Sequence, residues 1–330
     1  MNDLLTNMTD KSKLMALLEK RETGKTRKIN EDEMNTALKS YVKGQDHVIH
    51  DISKLIRLQW GKEMRKKPIA NILFLGPTGT GKTELTKAMA NYLFGDENAM
   101  LRFDCSEFTG GESKTKLIGT PTGYVGSSSG GQLTRPVINN PKRLVLFDEV
   151  EKAFNGIFDL FLQMMGDGRL TEQGSGKTAD FTQSIIVLTS NAEHEAIGKI
   201  QDEISDYHEM VNAVKSHLAD TKIFRPEIVG RFDRVYVFKS LEGIVIAEIA
   251  ILKMVKLAKE YGLELAYVDP DLVYDAMIAN DKTKSFGIRQ LETTIGDMLG
   301  EAMYQAKEAG AKKIRLDIDS NGDLEINPDD

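Results

Sequence analysis

A parallel α/β sheet covered by helices, followed by a smaller and mostly helical unit, is the architecture that this 330-residue sequence predicts. Three observations lead there. Five runs, at residues 69–75, 99–104, 143–147, 184–189 and 234–238, are short and mostly continuous in apolar character, the pattern of strands buried on both faces. The segments between them carry helical spacing, and strands that alternate with helices pair in parallel with helices on each side. Beyond Phe238 the pattern changes to helices until close to the end of the chain.

Residues 1–30 are mostly polar, with one short amphipathic stretch, Lys13-Leu-Met-Ala-Leu-Leu18, and a charged run from Lys20 to Lys28. They read as an arm or a helix that contacts a partner or adaptor. Asn30-Glu-Asp-Glu33 has the form of a capped helix start, and residues 45–60 place apolar side chains three and four apart. The large unit is expected over 31–239 and contains all five strands. The second unit, 240–330, is expected to hold helices at 243–261, 271–279 and 288–309. At its end Lys313-Ile-Arg-Leu-Asp317 alternates like a strand, and Asn321-Gly322 suits the turn of a β-hairpin. Asp317-Ile-Asp-Ser-Asn-Gly-Asp323 imitates the start of a calcium loop, but Pro328 stands where such a loop needs its last glutamate.

Apolar residues make up 41% of the chain, enough for a substantial core. The net charge of −7 opposes non-specific attraction to polyphosphate, so nucleic acid is not an expected partner. The one cysteine, Cys105, cannot form an intramolecular disulfide and reads as a small apolar residue. There is no signal peptide pattern and no apolar run long enough to span a bilayer. A reducing cytoplasm is the expected location, with no membrane partner.

Chemistry enters after the first strand. Gly76-Pro77-Thr78-Gly79-Thr80-Gly81-Lys82-Thr83 follows Asn71-Ile-Leu-Phe-Leu75 and precedes an amphipathic helix. Its glycines let backbone N–H groups turn inward around phosphate oxygens, Lys82 reaches the β- and γ-phosphates, and the Thr83 hydroxyl ligates Mg²⁺. The helix starting at Lys82 adds its positive end. ATP with Mg²⁺ is therefore the expected ligand pair. Leu144-Val-Leu-Phe-Asp148-Glu149 delivers two acids to the end of a buried strand. Asp148 is expected beside the phosphate loop, holding Mg²⁺ directly or through water. Glu149 is the carboxylate available to orient and deprotonate an attacking water. Asn191, after Ile185-Ile-Val-Leu-Thr-Ser190, orients the same water or caps a turn.

With these motifs in this order, the chain resembles the AAA+ ATPases, and among them the second ATPase domain of the Clp-type unfoldases ClpA, ClpB and ClpC, over residues 30–320. The resemblance is carried also by Val42-Lys-Gly-Gln45, Asp104-Cys-Ser-Glu-Phe108, Leu117-Ile-Gly-Thr-Pro-Thr-Gly-Tyr-Val-Gly126, Asp148-Glu-Val-Glu-Lys-Ala153, Asp167-Gly-Arg-Leu-Thr171, Phe224-Arg-Pro-Glu227 and Gly287-Ile-Arg289. It implies that Val42 and Lys43 frame the adenine, that Asn191 is the first sensor and that Arg289 is the second. It implies that Arg231 is an arginine finger, reaching the γ-phosphate held by a neighbouring subunit. A hexameric ring that unfolds or remodels protein substrates at the expense of ATP is the activity it implies.

Gly123-Tyr124-Val125-Gly126 pairs an aromatic tip with flanking glycines, which let a loop project and grip an extended polypeptide without reading its sequence. By resemblance this loop, with Tyr124 and Val125, lines a central pore. Residues 168–178 are either a second pore loop or an ordinary polar connection. Where relatives that feed a ClpP-type protease carry an apolar anchor after Ile-Gly, Ile197-Gly-Lys199-Ile200 has a lysine, and burying it would be costly. Coupling to such a protease is not expected. An assembly switch that cycles with ATP but threads nothing, such as a regulatory ATPase of a partner complex, is the alternative reading, with a nucleic-acid remodeller behind it.

Overall fold

The computed structural model describes residues 28–124, 126–221, 223–281, 289–319 and 324–328. Asn30 caps the first helix, α1 (Glu31–Tyr41): its side-chain oxygen accepts from the amides of Asp32 and Glu33, while Glu31, Asp32 and Glu33 sit at the positive helix end. Helix α2 (Asp46–Trp60) turns Val48, Ile49, Ile52, Leu55 and Ile56 inward. There follow β1 (Ala70–Leu75), α3 (Lys82–Phe94), β2 (Met100–Asp104), α4 (Ser113–Ile118), α5 (Thr134–Asn139), β3 (Leu144–Asp148) and α6 (Ile157–Asp167). A small hairpin of β4 (Arg169–Thr171) and β5 (Thr178–Asp180) leads to β6 (Ile185–Ser190), α7 (His194–Glu203), α8 (Tyr207–Asp220), α9 (Pro226–Val229) and β7 (Arg234–Val237).

The five long strands form one parallel sheet in the order β2-β3-β6-β1-β7. Strands β1, β3 and β6 are buried at every residue, which is why their sequences are almost continuously apolar. Alternation along each strand divides the side chains between two cores. Leu73, Val145, Phe147, Ile186 and Leu188 pack on one face against Phe158, Phe161 and Val214. Ile72, Phe74, Leu146, Ile185 and Val187 pack on the other against Ile49, Ile52, Leu85 and Met89. Cys105 is buried in the first of these cores, and that burial pushes its thiol up.

Register decides what meets at the sheet edge. Asp104 lies opposite Asp148, Phe147 opposite Leu188 and Leu75 opposite Ser190. The carboxyl ends of β2, β3, β6 and β1 therefore align. Strand β6 stands between β3 and β1, so Asp148 reaches the phosphate loop across an intervening strand.

After β7 come α10 (Ile244–Glu260), β8 (Glu264–Val268), α11 (Pro270–Asp281), α12 (Arg289–Glu308), β9 (Lys313–Ile318) and β10 (Leu324–Pro328). A third apolar cluster, including Met254, Leu291, Ile295, Leu299, Met303, Ile314 and Leu316, draws only on residues of this part of the chain. The expected antiparallel pairing at the end is present, but β8 also pairs in parallel with β9, making a three-stranded sheet where the sequence suggests helices and one hairpin. The turn at Asn321-Gly322 and the arm through residue 27 lie outside the described residues. Among the described residues no helix is long and apolar enough to cross a membrane.

Phe147 is stacked on Phe103 at 5.2 Å between ring centres and meets Phe161 edge-on at 4.6 Å. Phe147→Ala leaves a cavity between these rings, and the expected loss in urea unfolding is about 3–5 kcal/mol. A loss below 1 kcal/mol would mean that the sheet is not packed around this ring.

Candidate active site

The phosphate loop leaves β1 through Gly76, whose backbone sits at φ 134°. A Cβ there would come within 2.6 Å of the Phe238 carbonyl oxygen, so only glycine fits the close approach to the end of β7. Gly79 and Gly81 also hold positive φ, at 81° and 98°, which turns the peptide planes in the way a phosphate cradle requires. No side chain caps α3 at Gly81, leaving its N-terminus facing the cleft. Lys82 is buried, and its ammonium donates to the carbonyls of Gly76 and Pro77 at 2.7 Å each. The Thr80 hydroxyl donates to the same Pro77 carbonyl.

The acids converge from β3. Asp148, 6% exposed, accepts from the Thr189 hydroxyl at 2.5 Å, from Arg102 at 2.6 Å and from the Thr83 hydroxyl at 3.4 Å. Glu149 stands just beyond the strand in the left-handed region, φ 54° and ψ 51°, a conformation that costs a residue with a side chain of order 1–3 kcal/mol. Its amide donates to the Thr189 hydroxyl oxygen, and its carboxylate accepts from Asn191 Nδ2 at 3.1 Å and Lys152 Nζ at 2.6 Å. Asn191 Oδ1 is buried without a hydrogen-bond partner.

These groups line a cleft of about 720 Å³, within the range of small-molecule sites. Val42, Lys43, Thr78, Gly79, Thr80, Gly81, Lys82, Thr83, Asp148, Glu149 and Asn191 all face it, and Leu241, Ile249, Leu252, Lys253, Lys256 and Glu292 close it from the second part of the chain. Gln45 ties the joint together: its side chain donates to the carbonyls of Lys239 and Thr80 and accepts from the Lys239 amide. The positive-φ glycines of the loop, the buried ammonium and the carboxylate facing Thr83 fit a nucleoside triphosphate with a divalent cation.

Other expected residues stand elsewhere. Arg231 is exposed and outside the cleft, its guanidinium against Gly166 of α6. Arg289 is the first residue of α12, and its side chain, like all of Val125, lies outside the described residues. Tyr124 is 70% exposed, between Gly123 and Gly126 at φ 96° and 88°. Residues 168–178 contribute to the β4–β5 hairpin, with a polar turn at 172–177. Ile197-Gly-Lys199-Ile200 is part of α7, and Ile197 is fully buried.

Residues 67–235 match the family model for the AAA domain (Cdc48 subfamily), which covers β1, β2, β3 and β6, the start of β7, and both acid-bearing and phosphate-binding segments. The chain is 37% identical over 311 residues to an ATP-dependent Clp protease ATP-binding subunit ClpA homolog of Cyanidium caldarium, covering 89% of this chain and 36% of the relative. It is 37% identical over 302 residues to the negative regulator of genetic competence ClpC/MecB of Bacillus subtilis, covering 87% and 36%. Over 284 residues it is 37% identical to the chaperone protein ClpB of Streptomyces albus G, covering 84% and 32%. The chain belongs to the Clp-type AAA+ ATPases. It spans about a third of the length of these curated relatives.

In this Clp-type site, three neighbours of the acids escape a reading of the sequence. Thr189 occupies on β6 the place that Asp148 occupies on β3, a polar residue after four apolar ones, and the same logic would single it out. Arg102 is the one charge inside β2 before its terminal Asp104. Lys152 follows Glu149 by three residues, in a short turn that brings it back to the carboxylate.

The far wall of the cleft is braced by Lys253 and Lys256 of α10, which donate to Glu292 of α12 at 2.8 and 3.0 Å. The bond from Lys253, then that from Lys256, holds the Glu292 carboxyl down to about 2, from an ordinary 4.5. A carboxyl depressed by folding stabilises the folded chain above pH 4.5 and loses that contribution as pH falls toward 2. Glu292 and Lys256 are half exposed, so screening keeps the effect of Glu292→Gln below about 1 kcal/mol at neutral pH. Urea midpoints of the two proteins should draw together below pH 4.5; a gap that widens on acidification contradicts the assignment.

Proposed function

We propose that this chain is the ATP-hydrolysing module of a ring that remodels proteins by drawing polypeptide through a central pore. The observation that carries the reading is the meeting, at one sheet edge, of Lys82 and Thr83 after β1, Asp148 and Glu149 at the end of β3, and Asn191 after β6. Val42 and Lys43 frame the base of ATP, residues Pro77 to Gly81 wrap its phosphates, and Lys82 neutralises the outer ones. Thr83 and Asp148 hold Mg²⁺, which supplies positive charge where negative charge develops. Glu149 accepts the proton of the attacking water, for which its carboxylate must leave Lys152, and Asn191 orients that water.

Arg231, exposed and away from its own cleft, is proposed to act on the nucleotide of a neighbouring subunit. A residue donated in trans requires head-to-tail contacts that close on themselves, which a hexameric ring supplies. Arg289 is proposed as the second sensor, coupling nucleotide state to the angle between a unit at 31–239 and a lid at 240–330. Tyr124 and Val125 are proposed to grip the polypeptide, supported by the exposure of Tyr124 between conformationally free glycines. Names such as chaperone and Clp protease ATP-binding subunit among the relatives support protein as the substrate class. The arm at 1–30 is proposed as an adaptor contact and the cytoplasm as the compartment.

ATP turnover by the purified chain, with and without an unfolded polypeptide, tests the reading. Glu149→Gln should lower turnover by about 10²–10⁴-fold while nucleotide binding persists. Tyr124→Ala should keep basal turnover and lose its stimulation by polypeptide. Turnover that depends on Glu149 yet ignores both polypeptide and Tyr124 would rule out threading and favour an assembly switch.

A further inference from the structure

The turn of the β4–β5 hairpin, residues 172–177, holds a side chain that the ATPase site does not use. Glu172 is charged yet only 1% exposed, a placement that is costly unless donors surround the carboxylate. Its Oε1 accepts from the Gly131 amide at 3.1 Å, the Thr134 hydroxyl at 3.3 Å and Arg135 Nε at 3.4 Å, and its Oε2 accepts from the Ser175 hydroxyl. Burial works against ionisation, but the bonds from Ser175, Gly131 and Arg135 outweigh it and hold the carboxyl below the usual range. Gly131 closes the far end of the loop that carries Tyr124.

The near end of that loop is tied to the same turn. The Gln173 amide donates to the Ile118 carbonyl at 2.8 Å, and the Leu133 amide to that of Leu117 at 3.0 Å, which joins the two stems of the loop at its base. Closer to the tip, the Thr122 hydroxyl donates to the Gly174 carbonyl at 3.3 Å. Packing there is tight: a Cβ on Gly174 would lie 2.2 Å from the Ser127 carbonyl oxygen and 3.2 Å from that of Thr120. The hairpin begins directly after α6, whose far end follows Asp148 and Glu149 in the chain.

We propose that Glu172 is a positioning residue that clamps the 172–177 turn to the far stem of the Tyr124 loop while Gln173 and Gly174 hold the near one, so that the two loops move as one body. The proposal rests on the gripping role given to Tyr124 above. Gly123 and Gly126 leave the tyrosine free to adapt to what it holds, whereas the clamp beneath keeps the loop from yielding under load. The pull then passes through the hairpin into α6 rather than being lost in the glycines.

Two variants of the full chain test this by hydrogen exchange and by turnover. Glu172→Gln removes the charge that meets Arg135 and the buried donors. Gly174→Ala, at a partly exposed position with ordinary φ, wedges the turn away from Ser127 without touching any charge. In each, amides of 116–133 and of 172–177 should exchange together and roughly tenfold faster or more. Basal ATP turnover and its KM should stay within about twofold, while the polypeptide concentration for half-maximal stimulation rises. Faster exchange confined to 172–177, or both loops loosened with stimulation unchanged, overturns the proposal. If Tyr124→Ala leaves stimulation intact, the gripping role is what fails, and the exchange pattern still decides whether the loops are clamped.

Discussion

Asp148 ends a strand whose other residues are all apolar and fully buried, and its carboxylate is nearly as inaccessible. A charge in that position is strongly destabilising unless donors reach it, and removing one partner of such a group typically costs about 3–5 kcal/mol. Its donors come from three different elements: Thr189 from β6, Arg102 from β2 and Thr83 from the first turn of α3. Satisfying this one group therefore sets the ends of two neighbouring strands and the helix after the phosphate loop relative to one another. Thr189 also receives the Glu149 amide, so the same hydroxyl sets the position of the second acid.

Much of this was legible in the sequence for a simple reason. Strands buried on both faces have little room for polar residues, so Ile72-Leu-Phe-Leu75 and Leu144-Val-Leu-Phe147 stand out, and each of the five strands begins and ends within one residue of its expected bounds. The phosphate loop is local, and its glycine spacing contains its geometry. What escaped depends on contacts between segments distant in sequence. Arg102 and Thr189 matter only through the register that sets them around Asp148, and no spacing rule carries that register. Strand β8 escapes a reading of the sequence because its apolar run Leu265-Ala-Tyr-Val268 lies at a sheet edge and is only partly buried, and its one partner, β9, lies about fifty residues further along the chain. The hairpin at 169–180 was missed because its strands are three residues each. For Arg231 and Arg289 the residues themselves are mute, and only the resemblance to a family assigns them a role.

The cleft depends on both parts of the chain in different ways. The β1, β3 and β6 side supplies fixed charge on a rigid sheet. The opposite wall is helical, with Leu241, Ile249 and Leu252 offering apolar surface and the lysines of α10 held on Glu292. Gln45 links the two by bonding both to the phosphate loop and to the backbone just after β7. A side chain buried in that position bonds the backbone of Lys239 and that of Thr80 at once.

The left-handed backbone at Glu149 has a consequence for descent. A side chain there is maintained against a standing thermodynamic preference for glycine, and to a lesser degree asparagine, which occupy this conformation without the same strain. Substitution to glycine would therefore relieve that strain while removing the carboxylate to which the proposed mechanism gives the water's proton. In a lineage that no longer needed the carboxylate, drift at this position would run downhill. An acid kept at this strained position is thus itself a sign that the side chain is held for more than stability.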